Sequence, residues 1–241
     1  MMIRVPLLLA AALASPAIAA PQHAVHHTTT ANVTDWSRVT NETAAGGVVM
    51  GNPNAKVKLV EYGSLTCPHC RHFDEEASAP LIANYVKSGK VSWEFRSFLL
   101  NGYDIPATLT ARCNGAASFF PMLHALYAAQ PDWIAKMQGL SKERMTQIEA
   151  MPTAQQFVAI GQGAGFPAFA AAHGIPAARV NACLGNGAAA KRAVEVTETA
   201  AKKFNVTYTP TFIVNGAMVD YSAGPSVWGV VEARLKAALA S

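Results

Sequence analysis

Hydrophobic and polar residues alternate over Val57-Lys58-Leu59-Val60-Glu61-Tyr62, a run rich in β-branched and aromatic side chains that Gly63-Ser64 stops, so a short strand is predicted there. Phe73, Ala77, Leu81 and Tyr85 then recur every fourth residue, the spacing of one helix face. A helix is therefore predicted over 69–87, kinked at Pro80 and ended by Ser88-Gly89. Lys90–Phe98, rich in Val, Trp and Phe, reads as a second strand. A strand, a long helix and a strand in that order favour a parallel pair with a right-handed crossover.

From Ile105 to about Asn186 the chain becomes rich in Ala, Gln and Met, with helix-start and helix-stop signals every ten to fifteen residues. This predicts an all-helical insertion with helices beginning near Pro106, Pro121, Ser141, Thr153 and Pro176. Asp104, Ser141 and Thr153 are candidate caps, and Pro106 and Pro121 suit first turns. Phe119, Phe120, Met122 and Met137 are read as core rather than as binding surface. Gly187–Phe204 returns to a strong helical pattern. Thr211–Val214 and Met218–Tyr221 flank Asn215-Gly216, a hairpin signature, and a last helix runs from Pro225 to Ala240. The order β, α, β, helical insert, α, β, β, α makes an α/β fold with one core, split as 51–104 plus 187–241, and an insertion at 105–186.

The amino terminus changes the picture of where this fold works. A lone cation at Arg4, an apolar run from Val5 to Ala14 and small residues up to Ala20 form a secretory signal peptide, with cleavage expected after Ala19. The apolar run is too short for a membrane span. Residues 20–50, with His23, His26, His27 and a threonine run, lack a sustained period and read as a flexible tail; a solvated tail is favoured over a metal site there because nothing brings the histidines together. The formal net charge is only +4 and dispersed, which gives no nucleic-acid footprint. Four cysteines in an exported chain read as disulfide chemistry, and the absence of a retention signal at Ala238–Ser241 favours a bacterial periplasm.

Cys67-Pro68-His69-Cys70, after a strand and at a helix start, places one sulfur where backbone N–H groups and the helix dipole favour a thiolate, with His69 able to add donors or positive charge. Cys67 is the expected nucleophile, and Cys70, one turn on, the group that resolves a mixed disulfide. A purely structural bridge here would restrict the unfolded chain little. A zinc site would need a second ligand pair, which the distant Cys113 and Cys183 do not resemble, and haem attachment would need a histidine where Arg71 stands. Cys113 and Cys183, near the two ends of the insertion, are read as a second, structural disulfide; two buried free thiols or a regulatory bridge are the alternatives.

Glu61-Tyr62-Gly63-Ser64-Leu65-Thr66-Cys67-Pro68-His69-Cys70, the later Thr209-Pro210-Thr211-Phe212 and the helical insert together resemble the DsbA family of thioredoxin-fold proteins, over roughly Lys56 to Ala240. The resemblance implies a thioredoxin-like fold with an inserted helical subdomain and an acidic Cys67 in a strongly oxidising pair. It further implies a cis Pro210 whose loop, with Thr209, lends backbone hydrogen bonds to a client peptide, and a buried Glu61 that relays the proton of Cys70. The family's oxidases introduce disulfides into reduced, unfolded exported proteins and are reoxidised by a quinone-linked membrane thiol oxidase of the DsbB kind, without a bound cofactor. Thr209 is a feature shared with disulfide isomerases, where the best-known oxidases carry valine. Isomerases of this kind are often dimers with a separate dimerisation segment; residues 21–50 are too short and polar to supply one, so a monomer is expected. Outside enzymology, a chaperone gripping unfolded chains beside Pro210, or a metal carrier using Cys67, Cys70 and the tail histidines, are the competing readings.

Overall fold

A computed structural model describes residues 34–222 and 224–241. The expected signal peptide and the three tail histidines lie outside the described residues.

The chain forms a six-stranded mixed sheet in the order β1-β2-β4-β3-β5-β6. At its centre β3 (Val57–Gly63) runs parallel to β4 (Val91–Ser97), with Leu59 opposite Trp93 and Glu61 opposite Phe95, and antiparallel to β5 (Thr211–Val214), with Glu61 opposite Phe212. The crossover between β3 and β4 is α1 (Pro68–Leu81), which continues through one π-helical turn over Ile82–Val86 after Pro80, whose missing N–H disturbs the regular ladder. Phe73, Ala77, Leu81 and Tyr85 all face the core.

Residues read as a tail contribute two strands, a correction to the expected organisation: β1 (Thr40–Glu42) and β2 (Val48–Met50) pair antiparallel, and β2 extends the sheet along β4. Each strand is only 3 residues long, too short to show a period, and it is pairing with β4 that defines them. The segment before them is tied down as Trp36 donates its backbone N–H to Lys87 O.

The insertion comprises seven helices: α2 (Asp104–Arg112), α3 (Ala116–Ala128), α4 (Gln130–Gln138), α5 (Lys142–Glu149), α6 (Thr153–Gly163), α7 (Phe166–Ala172) and α8 (Ala177–Leu184). Ser141 caps α5 by accepting from Arg144 N–H, as expected, whereas Thr153 is the first residue of α6 and Pro152 its cap. Pro121 lies inside α3, five residues past its start, and the starts of α4 and α7 escaped the pattern because a single residue, Ala129, separates α3 from α4 and only Ala164 and Gly165 separate α6 from α7. Helix α9 (Gly187–Phe204) follows, then β5, β6 (Ala217–Met218) and α10 (Val227–Ala240), capped by Ser226. The hairpin turn has φ of 48° at Asn215 and 85° at Gly216, the pair of positive values that an Asn-Gly two-residue turn supplies. Strand β6 ends earlier than expected because the Asp220 carboxylate accepts from Ser222 N–H and turns the chain away.

Period-two alternation divides the central strand. Val60 and Tyr62 face a small cluster with Phe98, Ala200, Val206 and Ile213 under α9. Leu59 joins the large cluster that α1, α3 and α10 cover. That cluster is shared with the insertion: Trp93 packs on Phe120 at 4.9 Å between ring centroids, Phe95 on Phe119 at 5.7 Å, and Phe73 on Phe212 at 4.4 Å. Glu61, two residues after Leu59, points the same way.

Candidate active site

Strand β3 ends at Gly63, where a Cβ would fall 2.5 Å from the Phe95 ring, so only glycine fits. The chain then turns through Ser64-Leu65-Thr66 and enters α1 with Cys67 as N-cap, φ −80° and ψ 120°, and Pro68 at the first helical position. Cys67 is 4% exposed and Cys70 fully buried, while Pro68 and His69 between them are exposed. Both cysteines are thiols here.

Their surroundings push the two sulfurs in opposite directions. The Cys67 thiol is lowered to about 5: a hydrogen bond from the Cys70 thiol contributes most, Thr209 and the backbone N–H groups of Cys70 and His69 add to it, and together they outweigh desolvation. Burial pushes Cys70 well above the ordinary thiol range, and the proximity of Cys67 and of Glu61 pushes it the same way; only Ser64 N–H, 3.5 Å from its sulfur, opposes. Facing Cys67 is the loop that carries the cis Thr209–Pro210 bond. In the thiol form Cys67 donates to Thr209 O at 3.4 Å, and the buried Thr209 hydroxyl has no hydrogen-bond partner among the described residues. Tyr221 Oη donates to Pro210 O and anchors the loop's far side.

Beneath the pair, Glu61 is 2% exposed and accepts from the Trp93 indole N–H at 3.1 Å. Burial, seconded by the charge of Asp74, pushes its carboxyl well above the usual range. Asp74 on α1 is itself paired with His124 of α3 at 2.6 Å.

Three residues, from α2, α3 and α4, grip the turn before Cys67; sequence reasoning did not single out Tyr127 or Gln130 and read Asp104 only as a cap. Asp104, expected to cap its own helix, instead turns its buried carboxylate back to accept from Ser64 Oγ, Thr66 N–H, Thr66 Oγ1 and Leu100 N–H, at 2.8–3.0 Å. Tyr127 Oη donates to Ser64 O at 3.2 Å, and the Gln130 amide donates to Leu65 O at 2.7 Å and Cys67 O at 3.0 Å. Nothing in local sequence marks these partners, because each lies some forty to sixty-five residues from the turn it holds. Away from this site, Cys113 and Cys183 are joined by a bridge that closes a loop of 70 residues. Among the described residues no group of three or more His, Cys, Asp or Glu is arranged to hold a metal, and no helix is long and apolar enough to cross a membrane.

A strand, a tight turn and a helix whose N-cap cysteine faces a cis-proline loop define a dithiol protein of thioredoxin fold. Comparison with known proteins agrees: the thioredoxin family model matches residues 43–230. A Rickettsia prowazekii protein named as a protein-disulfide oxidoreductase is 26% identical over 184 residues, 76% of this chain and 60% of that one. The chain thus spans about three fifths of the length of the curated relatives it matches. The crystal structure of a protein-disulfide isomerase from Novosphingobium aromaticivorans superposes with a TM-score of 0.73 at 31% identity, covering 80% of this chain and 97% of that one. That of Wolbachia pipientis alpha-DsbA1 shares the fold, with a TM-score of 0.62 at 20% identity over 80% of this chain and 90% of that one. The chain belongs to the thioredoxin family.

Proposed function

We propose that this chain is a periplasmic thiol–disulfide oxidoreductase that passes the Cys67–Cys70 disulfide to reduced, unfolded exported proteins. The observation that carries the reading is the division of labour between the sulfurs: a stabilised thiolate at the helix start beside a buried sulfur that resists ionisation. A client thiolate attacks Cys67 Sγ of the oxidised pair, the bond to Cys70 breaks, and Cys70 leaves with the electron pair. The neutral Glu61 acid is the proton source for that buried sulfur, and it is recharged from solvent. A second client thiolate then attacks the client sulfur of the mixed disulfide and expels Cys67. Cys67 is a good leaving group because its thiolate is stabilised, so the second step, and with it the overall exchange, runs toward oxidised client and reduced enzyme. Pro68 and His69 form the exposed rim at which a client approaches, and the Thr209-Pro210 loop lies beside the reacting sulfur as a backbone partner for the client chain.

Two electrons stay on the enzyme after each turnover, so an external oxidant is required; a quinone-linked membrane thiol oxidase of the DsbB kind supplies that chemistry, and no bound cofactor is needed. The second reading is an isomerase or reductase, favoured by Thr209 before the cis-proline and by the name of the Novosphingobium relative. The reduction potential decides. Equilibration with glutathione buffers, followed by thiol trapping, gives a value well above the ~−200 mV glutaredoxin range for an oxidase. A value near ~−270 mV moves the assignment to a reductase or isomerase, and a pair that never oxidises excludes both.

A further inference from the structure

Three carbonyls of the turn from Ser64 to Cys67 accept from side chains of the insertion. Tyr127 takes Ser64 O, and the single amide of Gln130, 3% exposed, takes both Leu65 O and Cys67 O. The consequences of losing these donors differ. Ser64 O also accepts Cys67 N–H and Cys67 O also accepts Arg71 N–H, whereas Leu65 O has no second donor among the described residues. Gln130 is therefore the one side chain that spans the N-cap peptide, and it does so from the first residue of α4, at a junction where only Ala129 separates two helices.

From this geometry we infer that Gln130 is a positioning residue for the redox pair, through which the helical insertion sets how strongly the Cys67 thiolate is stabilised. The inference rests on the dithiol reading above and adds to it a residue that touches neither sulfur. The physical link is short. The backbone N–H groups of His69 and Cys70 converge on Cys67 Sγ only while the peptides on either side of Cys67 keep their orientation, and Gln130 pins the carbonyl of one and the approach to the other. Without the amide donor, the buried Leu65 carbonyl is left unpaired, at a cost that drives the turn to rotate toward another donor. Rotation about the Cys67 N-cap withdraws the converging N–H groups from the sulfur. The thiolate loses stabilisation, and the reduced form of the pair loses its advantage over the disulfide.

The test is Gln130→Met, which keeps length and volume and removes the donor, with Tyr127→Phe beside it as a milder removal of a donor whose carbonyl keeps another. The readout is thiolate absorbance near 240 nm against pH, together with the glutathione equilibrium, on the full chain with folding checked by circular dichroism. Gln130→Met is expected to raise the titration midpoint by about one pH unit and to lower the equilibrium constant for oxidising glutathione about tenfold, a shift of ~30 mV. Tyr127→Phe is expected to move both in the same direction by less. A folded Gln130→Met with the wild-type midpoint and equilibrium overturns the inference. If Gln130→Met fails to fold, Gln130→Asn, whose amide is one methylene shorter, is read in its place, and unchanged values for it overturn the inference. A wild-type pair that never forms a disulfide in the glutathione buffers instead removes the dithiol reading itself, so the two failures are separable.

Discussion

Cys67 and Cys70 differ by one helical turn, and that turn gives their sulfurs opposite surroundings. A sulfur at the N-cap meets unpaired N–H groups, while a sulfur one turn in meets the apolar underside of α1. Titration of the reduced protein at 240 nm is expected to show one thiolate with a midpoint near 5, absent in Cys67→Ser. Because the Cys70 thiol is the largest single contributor to that stabilisation, Cys70→Ala should raise the midpoint by about a unit or more rather than leave it unchanged. Glu61 carries the opposite sign. Its folded-state carboxyl holds a proton to higher pH than in the unfolded chain, so folding takes up a proton above the ordinary carboxylate range and stability falls as pH rises there. Glu61→Gln should match the wild type near pH 4 and become the more stable protein as pH rises, the gap opening with a slope approaching ~1.4 kcal/mol per pH unit by denaturant melts.

At the scale of elements, the Cys113–Cys183 bridge ties the end of α2 to α8, far along the chain from the dithiol. Closing 70 residues restricts the unfolded insertion by roughly 4 kcal/mol in the chain-entropy account. The double variant Cys113→Ala with Cys183→Ala should therefore lose about that much stability in urea while the 240 nm midpoint stays in place. A shifted midpoint would assign the bridge a regulatory role instead. The elements that were legible beforehand share one property, a local signal strong enough to stand alone: the four-residue period of α1, the alternation of β3, the Asn-Gly turn and the Ser141 cap. β1 and β2 were missed because a three-residue strand has no period, and α4 and α7 because the helices before them end without a long break.

The whole molecule has one continuous large core, with Trp93 and Phe95 of the sheet packed against Phe119 and Phe120 of the insertion. Redox state is therefore expected to register in global stability. A group whose folded pKa is depressed from 9.0 to about 5 contributes fully above the unfolded value and loses that contribution as pH falls toward 5. The stability of the reduced protein relative to the oxidised one should accordingly grow from pH 5 to pH 9 and be constant below pH 5, measured by denaturant unfolding of each form.

By itself the sequence determined the local features: a CPHC motif between a strand and a helix, a proline loop before a hairpin, and a helical insertion, each written in adjacent residues. Only the tertiary structure decided what surrounds the sulfurs. Glu61 could equally have faced water from its strand position, and it is the period-two register against Phe95 and Phe212 that buries it. Asp104, Tyr127 and Gln130 hold the active turn across 40 to 65 residues of intervening chain. Such contacts depend on how helices of ordinary composition pack, and packing is a property of surfaces that meet only after folding, so no local pattern announces them.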